Sequence, residues 1–198
     1  QCFYTMAVTL TGEPDQGTGY LTNIKTIDDA VRDRVVPLVT QAVVGGCRGA
    51  HRGGGGVVID SFRDLSDTFL HLALHGLELH LTPFTSLATT ADLAKDRDAP
   101  MILLNHTFEF AASHRLHNPA LTDEQNRQLF GKCNNPHGHG HNYTLRVTLR
   151  GEPDENGILI DFYELESIVD AAVITPFDHK HLNLELPEFS DLNPSVEN

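Results

Sequence analysis

Along residues 143–149 the apolar Tyr143, Leu145, Val147 and Leu149 alternate with Thr144, Arg146 and Thr148. That two-residue period predicts a half-buried strand. The GEPDENG that follows is turn chemistry. Asp161 and Glu164 then stand three apart, as in a capping box, and Leu165, Ile168, Val169, Ala172 and Val173 follow at helical spacing. Pro176 ends that helix or kinks it close to its end. Earlier in the chain, Phe62, Leu65, Phe69 and Leu72 predict a helix from Phe62 through His75, closed by Gly76. Leu77, Leu79 and Leu81, alternating with Glu78 and His80, predict a strand, and another is predicted over 101–113. Strands, then helices, then strands indicate an α+β unit with an antiparallel sheet.

The pattern occurs twice. Residues 4–15 (YTMAVTLTGEPD) and 143–154 (YTLRVTLRGEPD) are identical at nine of twelve positions, at an offset of 139. Past a short insertion the likeness continues from GYLTNIKTIDDAV (19–31) to GILIDFYELESIV (157–169). Two tandem copies of one unit are expected, residues 1–98 and 99–198, each incomplete, as in a segment of a longer tandem protein. The polar stretch 90–100 (TADLAKDRDAP) reads as the linker between them. The glycine-rich 45–56 (GGCRGAHRGGGG) reads as a flexible loop, since no Gly-Lys-Ser/Thr and no dinucleotide-binding glycine spacing makes it a phosphate cradle.

Composition narrows the function. With 40% hydrophobic and 21% charged residues, the chain has the make-up of a soluble globular protein. A formal net charge of −13 argues against general nucleic-acid binding but leaves room for a small anionic substrate held by a few local cations. No apolar run is long enough to cross a bilayer, and QCFYTMAVTLTGEP has none of the parts of a signal peptide. Three cysteines, an odd number, suggest no disulfide framework, so a reducing, cytoplasmic setting is expected. Twelve histidines and no tryptophan are the unusual features.

Those histidines cluster in GKCNNPHGHGHNY, residues 131–143. On a strand, His139 and His141 point to one face, and Gly138 and Gly140 leave room around them. His114 ends the strand-like FEFAASH and supplies a third imidazole. Three imidazoles leave one position open on a tetrahedral zinc, the arrangement of a catalytic site. Taken singly, each of these, and His137 with them, reads as a surface residue of a Gly/Asn-rich loop. Taken together they point to a metal. Three readings are open to Cys133: a small buried hydrophobe, a zinc ligand, or a thiolate base or nucleophile beside a cation. The dipeptide Asp178-His179 has the make-up of a carboxylate-oriented acid–base pair.

The run FAASHRLHNPALTDEQNRQLFGKCNNPHGHGHNYTLRVTLRGEPDENG, with PFDHKHLN and SVEN after it, resembles the 6-pyruvoyl-tetrahydropterin synthase family over nearly all of 106–198. The resemblance implies a tunnelling fold (T-fold): a four-stranded antiparallel sheet with two helices per unit, assembled into a barrel. It implies Zn2+ held by His114, His139 and His141. The implied substrate is 7,8-dihydroneopterin triphosphate, losing triphosphate with internal redox tautomerisation and no redox cofactor. It further implies Cys133 as the proton-moving thiolate, His179 oriented by Asp178 as its acid–base partner, and Glu197 beside the pterin. By the same analogy the chain is a homo-oligomer, a trimer of tandem chains, with no nucleic-acid or membrane partner.

The departures fall mainly in the first copy. Cys2 stands opposite His141, no Asp-His follows the helix where VVPLVTQ runs on, and Leu81 takes the place of the family's pterin-anchoring glutamate. In the second copy Ser195-Val196 replaces the usual threonines. The first copy thus reads as catalytically degenerate, supplying sheet edge and interface. Two alternatives stand beside a pyruvoyl-forming lyase. One is 6-carboxy-tetrahydropterin synthase of the deazapurine pathway; the other is a non-catalytic pterin-binding or assembly protein.

Overall fold

The computed structural model describes residues 4–46, 53–69 and 72–198. Cys2 and Cys47 lie outside those residues, and with them the comparison of Cys2 with His141. Among the described residues one six-stranded sheet runs in the order β1 (Thr5–Thr11), β2 (Ala73–His80), β3 (Thr85–Thr90), β4 (Ile102–His114), β5 (His139–Gly151). The pairings β1–β2, β2–β3 and β3–β4 are antiparallel, so the chain is α+β as the alternation predicts. A two-residue strand, β6 (Lys180–His181), pairs in parallel with Ala112 and Ser113 of β4.

By contact the chain forms two compact units, one of residues 1–107 with 146–160 and one of residues 108–145 with 161–198. In the first, α1 (Ile24–Ala30) passes through a π-helical turn (Val31–Val35) into α2 (Val36–Gly46), and α3 (Gly54–Ser66) follows. The buried residues Val57, Val58, Phe62 and Leu65 of α3 and Leu74, Leu77 and Leu79 of β2 belong to its core. In the second unit, α4 (Asp123–Phe130) leads into a 3-10 turn (Gly131–Asn134). There too α5 (Phe162–Val169) passes through a π-helical turn (Asp170–Ile174) into α6 (Thr175–Phe177), and the short α7 (Leu182–Glu185) follows β6.

The two GEPD segments fold alike. The Asp15 carboxylate accepts from the amides of Gly17 and Thr18, and the Asp154 carboxylate accepts from those of Asn156 and Ile158. Each turn closes on a left-handed glycine, Gly19 at φ 70° and Gly157 at φ 75°. Each is followed by a capped helix. Asn23 accepts from Lys25 N, and Asp161 accepts from Tyr163 N and Glu164 N.

Two expectations are corrected. The helix read as Phe62–His75 starts earlier and stops at Ser66, and Gly76 lies inside β2, paired with Thr90. Burial of Phe69 continues the apolar pattern without helical backbone, which is why spacing alone overran the end. Residues 54–56, read as loop, form the first turn of α3. There Gly53 N donates to Asn156 O at 2.6 Å and Gly55 N to Gly157 O at 3.1 Å. A Cβ on Gly53 would stand 2.1 Å from Asn156 O, so glycine is required by backbone approach. The stretch 90–100, expected as a linker, connects β3 to β4 and is internally bonded, with Ala94 N on Thr90 O and Met101 N on Leu93 O.

Candidate active site

Strand β5 begins with His139 and His141 on one face, as their two-residue spacing requires. His114 is the last residue of β4 and is buried, 8% exposed. One ligating atom from each of the three histidines lies within 4.8 Å of the others. The rings pack at centroid distances of 4.6 Å (His114–His139), 5.0 Å (His114–His141) and 4.6 Å (His139–His141).

The hydrogen bonds show which nitrogens are free. His114 Nδ1 donates to the Pro194 carbonyl at 2.7 Å, which leaves the lone pair on Nε2. That Nε2 and both ring nitrogens of His139 are buried with no hydrogen-bond partner among the described residues. A buried polar atom left unmade costs about 1–3 kcal/mol, and a cation at the common focus removes that cost. Burial holds the His114 pKa below the usual histidine value, helped by His139, His141 and His181 and opposed by the Pro194 bond. A neutral imidazole is the form that ligates. The trio therefore fits a metal ion.

Beside it lies a cavity of about 380 Å³ lined by Phe110, His114, His141, Asn142, Tyr143, Phe177, Leu182, Phe189, Pro194, Ser195 and Val196. Phe110 and Tyr143 stack at 5.0 Å and 6°, and Phe177 meets Phe110 edge-on at 6.2 Å. Ala112, Leu182 and Leu186 form the buried cluster behind these rings. Burial raises the Tyr143 phenol above its ordinary value. A flat, partly apolar molecule suits such walls, and the volume is that of a small-molecule site.

The other expected residues are dispersed. Cys133 is a half-buried free thiol in the 3-10 turn, outside the histidine trio and the cavity lining. Asp178 accepts from Ala111 N at 2.8 Å and from His179 Nδ1 at 2.8 Å. The Ala111 bond and then the His179 bond hold its carboxyl below the usual range. His179 has φ 58°, the one described non-glycine residue in left-handed backbone, and its side chain is 83% exposed. Glu197 is exposed, its carboxyl lowered by the Ser195 hydroxyl and its own amide, and it too lies outside the lining. Asp178 and His179 are thus brought together, and so are the three histidines. Cys133 and Glu197 join neither group. His137 is exposed. Leu81 follows β2 and bonds Thr85 through its backbone.

Sequence reasoning missed several residues that hold the site. Pro194 orients His114, and Gly138 (φ 72°) gives the backbone room between the His114 carbonyl and the His181 ring. Asn134, the last residue of the Cys133 turn, is buried, 7% exposed. Asn in an NNP context is an ordinary turn signal, so nothing marked Asn134 as a core residue.

Comparison with known proteins places the chain in a family. Residues 103–198 match the family model described as 6-pyruvoyl tetrahydropterin synthase. Over 96 residues the chain is 44% identical to the 6-pyruvoyl tetrahydrobiopterin synthase of Homo sapiens, covering 48% of this chain and 66% of that protein. It is 38% identical over 100 residues to the putative 6-pyruvoyl tetrahydrobiopterin synthase of Caenorhabditis elegans, covering 50% of this chain and 71% of that one. A solved structure of Caenorhabditis elegans 6-pyruvoyl tetrahydropterin synthase is 38% identical, covers 50% of this chain and 71% of that chain, and gives a TM-score of 0.47. The chain spans 60–66% of the length of the human and Drosophila melanogaster relatives it matches. With SHRL, the cysteine and GHGHNY falling inside the matched stretch, and with more than two thirds of the worm protein covered at 38% identity, the chain belongs to the 6-pyruvoyl tetrahydropterin synthase family.

Proposed function

We propose that residues 99–198 form a T-fold synthase unit that eliminates triphosphate from 7,8-dihydroneopterin triphosphate to give 6-pyruvoyl-tetrahydropterin. In this reading residues 1–98 are the degenerate first unit, which supports it. The observation that carries the reading is the trio of imidazoles with orphaned buried nitrogens, set against an aromatic cavity. The relatives named as 6-pyruvoyl tetrahydrobiopterin synthases support the choice of substrate.

His114, His139 and His141 hold the metal, taken as zinc from the all-imidazole donor set. Zinc bound there supplies Lewis acidity that lowers the pKa of a substrate hydroxyl. The chain's own residues do the rest. Phe110 and Tyr143 wall the cavity and exclude water from one face of the ligand. The Cys133 thiolate moves protons on the substrate side chain, while His179, held by Asp178, serves as its acid–base partner and Glu197 meets the pterin. The oxidation and reduction occur within one molecule, so no redox cofactor is consumed.

Cys133 and His179 need not meet within one chain if copies assemble around the site. The sheet ends on β1 and β5 among the described residues, and β5 is 13 residues long. Long open edges invite a further strand, which supports a homo-oligomer, a trimer of tandem chains.

The test is triphosphate release by the zinc-loaded protein, with products identified by mass. Formation of 6-pyruvoyl-tetrahydropterin is expected, and Cys133→Ala should abolish turnover while zinc stays bound. Release of acetaldehyde instead would assign the carboxy-forming reaction. Pterin binding without turnover would sink the lyase reading.

A further inference from the structure

We propose that Asn134 is a positioning residue that sets the Cys133 thiol relative to the histidine trio. The proposal rests on the reading of Cys133 as the proton-moving thiolate. The turn carrying Cys133 has only four residues, Gly131–Asn134, and opens on the left-handed Gly131 at φ 53°. So short a turn has few bonds of its own to fix a side chain.

Its place is fixed from outside, by the residues just after His114. Leu116 N donates to Cys133 O at 2.8 Å, and Arg115 Nε donates to Asn134 O at 3.2 Å. The Asn134 side chain answers in the other direction. Its amide nitrogen donates to Leu116 O at 2.7 Å and to His117 Nδ1 at 3.1 Å. The Leu116 carbonyl can only accept, so the amide orientation follows from chemistry, and His117 must carry its proton on Nε2. His117 N in turn donates to Asn193 Oδ1 at 2.9 Å, one residue before the Pro194 whose carbonyl holds His114. These hydrogen bonds, joined through the covalent framework of His117 and of Asn193–Pro194, link the Cys133 turn to the His114 ring.

Asn134, like His114, is buried in that circuit. Alanine there leaves the Leu116 carbonyl unsatisfied, and aspartate opposes that carbonyl with a carboxylate. Either change frees the turn without touching a metal-ligating atom. A shift of about 1 Å at a reacting group costs up to about 100-fold in rate.

The experiment uses the zinc-loaded full chain with Cys2→Ser and Cys47→Ser, so that iodoacetamide reports on Cys133 alone. Asn134→Ala and the same-sized Asn134→Asp are compared with this parent for kcat, KM, zinc content and rate of Cys133 alkylation. The expected result is a fall in kcat of about 10–100-fold with KM within about threefold. Alkylation should change by at least about threefold, with zinc content equal to the parent's. Unchanged kcat and alkylation in a folded variant would overturn the proposal. So would loss of zinc in step with loss of activity, which makes Asn134 a prop of the metal site only. If alanine prevents folding, the aspartate variant decides. A parent that releases no triphosphate sinks the lyase reading alone; alkylation then still supports positioning if it changes and overturns it if it does not.

Discussion

His114 Nδ1 donates to the carbonyl of Pro194, 80 residues further along the chain, at 2.7 Å. This bond selects the tautomer and aims Nε2 at His139 and His141. Ligand histidines held through the second nitrogen bind metal more tightly, and losing the outer partner typically costs about 10–100-fold in affinity. Asn193, which accepts from His117 N, anchors the segment bearing that carbonyl. Asn193→Ala should therefore weaken zinc binding by about 10-fold or more, and His139→Ala by still more, in competition with a chelating dye. Equal zinc affinity in Asn193→Ala would show that Pro194 is held without it.

Asp178 accepts from both Ala111 N and His179 Nδ1, and its carboxyl is held below the ordinary value. A depressed carboxylate adds stability above its unfolded pKa of about 3.9, lost as pH falls through the lower folded value. Asp178→Asn keeps an acceptor for Ala111 but turns a donor toward the His179 ring. The stability gap between parent and Asp178→Asn should be present in urea melts at pH 7 and close below about pH 4. Turnover should fall by about 100-fold or more at pH 7.

His179 carries a Cβ in left-handed backbone at φ 58°, a conformation that costs about 1–2 kcal/mol in an L-residue. Glycine removes that strain but adds unfolded-state entropy worth about 0.4–1 kcal/mol. His179→Gly should thus be as stable as the parent, or up to about 1.6 kcal/mol more so, and inactive. A marked drop in Tm would mean that the imidazole itself stabilises the fold.

Gly138 has the opposite character. At φ 72° an added Cβ would stand 2.8 Å from His181 Nε2 and 3.0 Å from the His114 carbonyl. Gly138→Ala should destabilise the protein by about 1–3 kcal/mol and release zinc, because the displaced backbone carries His114. Chemical melts with metal analysis of the same sample decide it.

Much of the fold was legible because periodicity reports burial. The alternation around Val147 and the spacing of Leu165 and Val169 mark strand and helix correctly, Leu165 and Val169 being the buried residues of α5. The same signal failed after Ser66, where Phe69 is buried from a non-helical segment. It was silent on α4, whose start is written in Thr122 and Gln125, a reciprocal capping box. For the site, the His139/His141 spacing was enough, since a two-residue step on a strand leaves no choice of face. The partners of those residues were not readable. Pro194 and Asn134 act through a carbonyl and a buried amide, and neither contribution depends on anything nearby in sequence.

The docking of Gly53 and Gly55 on Asn156 and Gly157 separates the order of synthesis from the order of folding. The first turn of α3 leaves the ribosome roughly 100 residues before the carbonyls that receive its amides, a delay on the order of 5–20 s at usual rates of elongation. Through that interval the apolar side of α3 has its neighbours in β2 while its leading end has none. The first unit therefore closes last at a place encoded roughly 100 residues further along the chain. A stop or pause before residue 157 leaves a nearly complete unit with an unfinished seam, the state in which chaperones and proteases meet it.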